Sequence, residues 1–178
     1  LKVALITGSN MSGKSTFLKT VGLNQILAMA GLPVFAKSLT TWAAHVETCL
    51  GIRDSIEEGY SSFYYEVKRV KAILTRVQKG EPTFFMIDEI FRGTNNRERL
   101  IGSQALIQEM LRHTGILGII TTHDLELGKL ETKPVLENYH FRDDVSSAKL
   151  HFSYKMSPGV CPTTNALKIM AQEGLPVS

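Results

Sequence analysis

Eight residues near the start of the chain, Gly8-Ser9-Asn10-Met11-Ser12-Gly13-Lys14-Ser15, fit the pattern G-x-x-x-x-G-K-[ST] in full. No other feature constrains the fold as strongly. The pattern calls for a turn between a strand and a helix. Both neighbours are present, since the apolar run Val3-Ala4-Leu5-Ile6 precedes it and a largely apolar helical stretch follows. With glycine at about 7% of residues, four such fixed positions arise by chance in roughly one chain in a hundred or fewer. The glycines let backbone N–H groups turn inward around an anion. The helix N-terminus adds the positive end of its dipole. In such a loop Lys14 reaches the β- and γ-phosphates of a nucleotide, and the Ser15 hydroxyl ligates Mg²⁺. The bland alternative is a glycine-rich strand-to-helix turn with a surface lysine.

Three apolar runs read as strands buried on both faces: Val3 to Thr7, Thr83 to Ile87 and Ile116 to Thr122. They lack the apolar–polar alternation of a strand wetted on one side. Helical patterns lie between them. One runs from Ser15 to Ala30, apolar on several faces, and stops at Gly31-Leu32-Pro33. A second carries Phe63, Val67, Val70, Leu74 and Val77 at steps of four and three and ends at Gly80. A third runs from about Arg97 to His113, with Leu100, Ile107 and Leu111 on one side. This alternation predicts an α/β fold with a mainly parallel sheet flanked by helices, a P-loop NTPase. Lys133 to Tyr154 reads as a hairpin around Asp143-Asp144, and Asn165 to Glu173 as a short closing helix.

Composition removes other classes. The 178 residues are 43% hydrophobic and 21% charged, which suits one domain with a sizeable core. A net charge of +3 is too weak to argue for nucleic acid by itself. Cys49 and Cys161 match no metal-ligand spacing, and no apolar run reaches membrane-spanning length. The start at Leu1, inside a buried strand, suggests a piece of a longer multidomain protein, with residues 1–178 as one domain of it.

The strand Phe84-Phe85-Met86-Ile87 ends in Asp88-Glu89. An acid at that point is the expected Mg²⁺-side partner of a phosphate loop, so Asp88 joins Ser15 as a metal-site residue. A second carboxylate beside the metal, Glu89, accepts a proton from attacking water. The third strand ends Thr121-Thr122-His123-Asp124. Ligands gather at the carboxyl ends of strands in open α/β sheets, which puts His123 near the same phosphates.

These residues resemble a known family. Thr7 to Thr16, Asp88-Glu89-Ile90 with Arg92-Gly93-Thr94, and Thr122-His123-Asp124 are similar to the ATPase domain of the MutS family of DNA mismatch-repair proteins, a branch of the ABC-type ATPases. The likeness runs nearly the whole chain, and it implies ATP and Mg²⁺ as cofactors. It implies that Gly8, Ser9, Asn10, Met11, Ser12, Gly13, Lys14, Ser15 and Thr16 hold the nucleotide. Catalysis then falls to Lys14, Glu89, His123 and Ser61. ABC-type domains work as pairs, each nucleotide lying between one phosphate loop and a signature segment of the other subunit. That segment reads Ser-Thr-Phe in MutS proteins and Ser61-Ser62-Phe63 here. By resemblance, Ser61 contacts the partner's γ-phosphate, Thr94 and Asn95 form a loop crossing the dimer seam, and Tyr154 stacks on adenine. A plain N-cap serine fits the Ser61 position equally well.

The chain departs from the family where Phe91-Arg92-Gly93-Thr94-Asn95-Asn96-Arg97 replaces the usual Gly-Arg-Gly-Thr-Ser-Thr and acid. That places it in a side branch. The family binds DNA through domains N-terminal to this one. Lys68, Arg69, Lys71, Arg76 and Lys79 on the second helix read as a solvated face rather than a DNA groove-fitting element. The resulting expectation is a cytoplasmic ATPase that drives conformational change of a DNA-bound dimer, its partner a second copy or a paralogue. The rivals are a nucleotide-gated dimerisation clamp with little turnover and a P-loop small-molecule kinase.

Overall fold

The computed structural model describes residues 2–9, 12–51, 62–132, 134–144, 151–162, 170–171 and 176. In chain order the elements are β1 (Val3–Thr7), α1 (Lys14–Met29), β2 (His45–Cys49), α2 (Ser62–Gln78), β3 (Thr83–Ile87), α3 (Asn96–Leu111), β4 (Ile116–Thr122), a short 3₁₀ helix (Leu125–Leu130), β5 (Leu136–Asp144) and β6 (His151–Pro158). The strands form one six-stranded sheet in the order β2-β3-β4-β1-β5-β6. Every pairing is parallel except β5 with β6. The fold is α/β, as the alternation of elements predicts.

The central strands are apolar because both sheet faces are covered. Alternate residues of β3 point to opposite faces. Phe85 and Ile87 pack with Val3, Leu5, Ile120 and the inner faces of α2 and α3, including Ile73, Val77, Ile107 and Met110. Phe84 and Met86 pack with Ile6, Ile119, Phe141 and Leu18 of α1. Helix α1 approaches the sheet closely at Gly22, where an added Cβ would sit 2.6 Å from Met86 Cε. Its outer face leaves Leu23, Ile26 and Met29 exposed.

Two elements differ from the sequence reading. Strand β2 has no counterpart in it, because an edge strand need not be apolar. Only Cys49 is buried, and His45 is exposed. The hairpin also turns later than Asp143-Asp144. Asp143 pairs with Phe152 and Asp144 with His151, after an irregularity between Phe141 and Asp143. Aspartate favours turns, but here the antiparallel ladder extends through both residues. Of the closing helix expected over Asn165 to Glu173, Met170 and Ala171 are helical and the rest lies outside the described residues. No helix among the described residues is long and apolar enough to cross a membrane.

Gly118 of β4 lies beside Phe85 of β3, and an added Cβ would fall within the Phe85 ring. Gly118→Ala is therefore expected to lower stability by about 1–3 kcal/mol through overpacking. A denaturant melt measures it, and an unchanged midpoint would mean that the ring has room to move.

Candidate functional site

The parallel register sets the site. Ile87 pairs alongside Ile120, and Thr7 alongside Thr122, so the segments that follow β1, β3 and β4 emerge together at one edge of the sheet. Ligands collect at this edge in open α/β sheets. Gly8 and Gly13 take φ values of 144° and 104°, which disfavour L side chains. A Cβ on Gly8 would also meet the Phe141 carbonyl at 2.8 Å. Gly13 caps α1 from the left-handed region, with no side-chain cap. The first N–H groups of α1 therefore lack a side-chain acceptor at that cap.

Lys14 is 5% exposed. Its ammonium donates to the Gly8 and Ser9 carbonyls at 2.8 and 2.6 Å, which wraps the loop around the charge. The Ser12 hydroxyl is buried with no hydrogen-bond partner among the described residues. A buried hydroxyl without a partner is costly, and an anion in the loop would satisfy it. A cleft of about 530 Å³ opens here, lined by Gly13, Lys14, Ser15, Thr16, Phe17, Thr20, Glu89, Phe141 and Tyr154. Seven of the expected residues, Gly8, Ser9, Ser12, Gly13, Lys14, Ser15 and Thr16, thus form or line this loop. Asn10 and Met11 lie outside the described residues, as does Ser61.

Tyr154 also lines the cleft. A Cβ on Gly13 would sit 3.2 Å from its Cδ1, so the ring lies against the loop itself. Thr94 and Asn95 serve their own helix. The Asn95 side chain accepts the Glu98 N–H at 3.0 Å as the N-cap of α3, and the Thr94 hydroxyl donates to Glu98 Oε2 at 2.7 Å.

The acid pair is held from the sheet. The Thr121 hydroxyl of β4 donates to Asp88 Oδ1 at 2.6 Å and accepts the Glu89 N–H at 3.0 Å. Glu89 and Phe91 both have φ of 55°. Left-handed backbone at residues other than glycine costs about 1–3 kcal/mol each and persists only where neighbours enforce it. The Glu89 carboxylate lies 3.5 Å from Arg92 Nε and 4.0 Å from His123 Nδ1. Among the described residues no cluster of three His, Cys, Asp or Glu side chains could hold a metal by itself.

Burial holds the His123 pKa below its ordinary value, and Arg99 and Lys14 push it lower, while Glu89 and Asp124 pull it back. That shift favours the neutral ring. The Cys49 thiol is pushed up to about 12 by burial, then by the Glu66 charge, so it is no nucleophile.

The basic face of α2 is partly occupied. Arg69 and Arg76 both pair with Glu47 of β2, at 3.3 and 2.8 Å. Lys68 lies 4.7 Å over the Tyr64 ring. Two of the five cations thus brace the sheet edge, as a structural face would.

The MutS domain V family model matches residues 4–178. The chain belongs to the MutS domain V family. It is 30% identical over 177 residues to the DNA mismatch repair protein MutS of Bacillus subtilis (strain 168), covering 98% of this chain and 20% of that protein. MutS of Bacillus licheniformis is 31% identical over 177 residues, with the same shares covered. MutS of Geobacillus kaustophilus is 30% identical over 179 residues, which is 99% of this chain and 20% of that protein. The chain thus spans a fifth of the length of these MutS relatives.

Sequence reasoning missed Thr121 and Glu66 at this site. Thr121 is hidden because a buried threonine at a strand end looks like any other β-former. Glu66 had a signal. It is a lone carboxylate beside Val67 on the apolar stripe of α2, and it is 6% exposed.

The lowered His123 pKa has a sign that can be checked. The protonated ring is disfavoured in the folded state, so its contribution to stability is full above the unfolded pKa. It is lost as pH falls toward the folded pKa. An NMR titration is expected to place the His123 midpoint below about 6.5, and Glu89→Gln, which removes a charge that pulls the pKa up, should lower it further. A midpoint at or above the ordinary value would contradict the charge balance described.

Proposed function

We propose that this chain is the Mg²⁺-dependent ATP-binding and ATP-hydrolysing domain of a MutS-like protein, built on an ABC-type P-loop NTPase core. One observation carries the reading. The buried Lys14, the Ser15 and Thr16 that open α1, and Glu89 line one cleft at the carboxyl ends of the strands. Lys14 and the loop N–H groups would neutralise the phosphates. Asp88 and Ser15 would hold Mg²⁺, which supplies charge neutralisation between the phosphate oxygens. Glu89 would take a proton from the attacking water, and neutral His123 would donate to or orient the γ-phosphate side. Tyr154, already against the loop, would offer its ring to the base.

The paired arrangement is part of the proposal. Ser61, which precedes α2 in the sequence, would meet the γ-phosphate held by a second copy or a paralogue. Nucleotide turnover would then close and open a dimer. DNA contact, and any role in mismatch repair, would belong to the parts of the longer protein outside this chain, in the cytoplasm.

Two inactive variants test the pairing in the full-length protein. Lys14→Ala removes the loop charge, and Ser61→Arg blocks the signature segment. A mixed pair has one site with both elements intact, so equal mixing of a homodimer should restore roughly a quarter of the parent turnover. No rescue would sink the paired site. Mg²⁺-dependent phosphate release by the parent separates an ATPase from a clamp without turnover, and transfer to an added hydroxyl compound instead of water would favour a kinase.

A further inference from the structure

Three contacts join the first turns of α2 to the turn that follows the acid pair. The Glu66 carboxylate accepts the Phe91 N–H, and the Arg92 and Gly93 N–H groups that follow favour its charged form. The Phe63 and Phe91 rings meet edge to face, with centroids 6.4 Å apart. Gly93 lies so close to α2 that an added Cβ would sit 2.6 Å from Phe63 Cβ and 3.1 Å from Phe63 Cα. Two of the residues in this turn, Glu89 and Phe91, hold left-handed backbone. Such a conformation persists only when its surroundings over-determine it. Thr121 secures the turn from the sheet, through Asp88 and the Glu89 N–H. From the other side the fixing groups are those of α2.

Glu66 is an expensive residue to place there. It is buried, and burial drives its carboxyl toward the neutral form. The backbone N–H groups of Phe91, Arg92 and Gly93 oppose that, since a carboxylate that accepts several N–H bonds is stabilised as the anion. A leucine would pack this stripe at less cost. A carboxylate here supplies what leucine cannot, an acceptor for the backbone of the turn.

We propose that Glu66 is a positioning residue: it ties the head of α2 to the turn that presents Glu89, so that the signature segment and the water-activating carboxylate move as one body. This deepens the ATPase reading and rests on it for the role of Glu89. A partner's nucleotide that engages the residues heading α2 would pull on the same turn that aims Glu89 at this chain's own nucleotide. The two sites of a pair would thus be linked through one side chain in each copy.

The test uses Glu66→Gln and Glu66→Asp in the full-length protein. Glutamine turns an N–H₂ group toward N–H donors, whereas aspartate keeps the charge on a shorter arm. Hydrogen exchange reads the tie directly: the Phe91, Arg92 and Gly93 amides should exchange about tenfold or more faster in Glu66→Gln, with β1 and β4 amides unchanged. In turnover, kcat should fall by about tenfold or more with KM for MgATP within about twofold, and Glu66→Asp should recover part of kcat. Unchanged exchange at these three amides overturns the proposal whatever the turnover. So does a fall in kcat matched by faster exchange across β1 and β4, which would mark a merely structural role. If Glu66→Gln fails to fold, the same two readouts on Glu66→Asp decide. A parent protein without turnover would sink the ATPase reading alone and leave the exchange result to judge the tie.

Discussion

Strand β4 pairs with β3 on one side and β1 on the other, and this double pairing sets almost everything else. It brings the loop after β1, the acids after β3 and His123 after β4 to one edge in a fixed register. The hydroxyl of Thr121, the penultimate residue of β4, then bonds to both Asp88 and the Glu89 backbone. A slip of β4 by one residue would exchange its two faces and take Gly118 from beside the Phe85 ring, which leaves no room there for a side chain. The positions of the charged groups are therefore as rigid as the core that carries them.

The two faces of the sheet have different tasks. Helix α1 continues the loop after β1, and at Gly22 it approaches Met86 of β3 closely. Helices α2 and α3 cover the opposite face and bracket the turn after the acids. Asn95 and Thr94 cap α3, while Glu66 of α2 accepts from the turn itself. Electrostatically the cleft is mixed. The Lys14 charge is wrapped by loop carbonyls, Glu89 lies near Arg92 and His123, and burial disfavours the charged form of the histidine. Of the two groups beside the Glu89 carboxylate, Arg92 is therefore the one that carries a fixed positive charge.

Much of this was legible in the chain because the relevant signals were local. The loop from Gly8 to Ser15 announces itself through spacing, and β1, β3 and β4 announce themselves through runs that do not alternate. The amphipathic step of α2, from Phe63 to Val77, predicted a helix within one residue of its observed bounds. Long-range partners left weaker traces. Strand β2 is held by Arg69 and Arg76 on Glu47 and by pairing with β3, none of which an apolar count detects. Asp143 and Asp144 looked like a turn until the ladder with β6 extended past them. The work of Thr121 and Glu66 depends on residues 33 and 25 positions away, so no window of sequence displays it.

The central claim is that phosphate binding and water activation fall on different residues of one cleft. Nucleotide binding and turnover measured side by side on Lys14→Ala and Glu89→Gln test it most directly. Loss of the Lys14 charge should weaken MgATP binding by about 10- to 100-fold, the worth of charge-assisted hydrogen bonds. Glu89→Gln should bind MgATP as the parent does and lose about 10²- to 10⁴-fold in turnover, the usual contribution of a general base. Parent-rate hydrolysis by Glu89→Gln, or parent-strength binding by Lys14→Ala, would contradict the account.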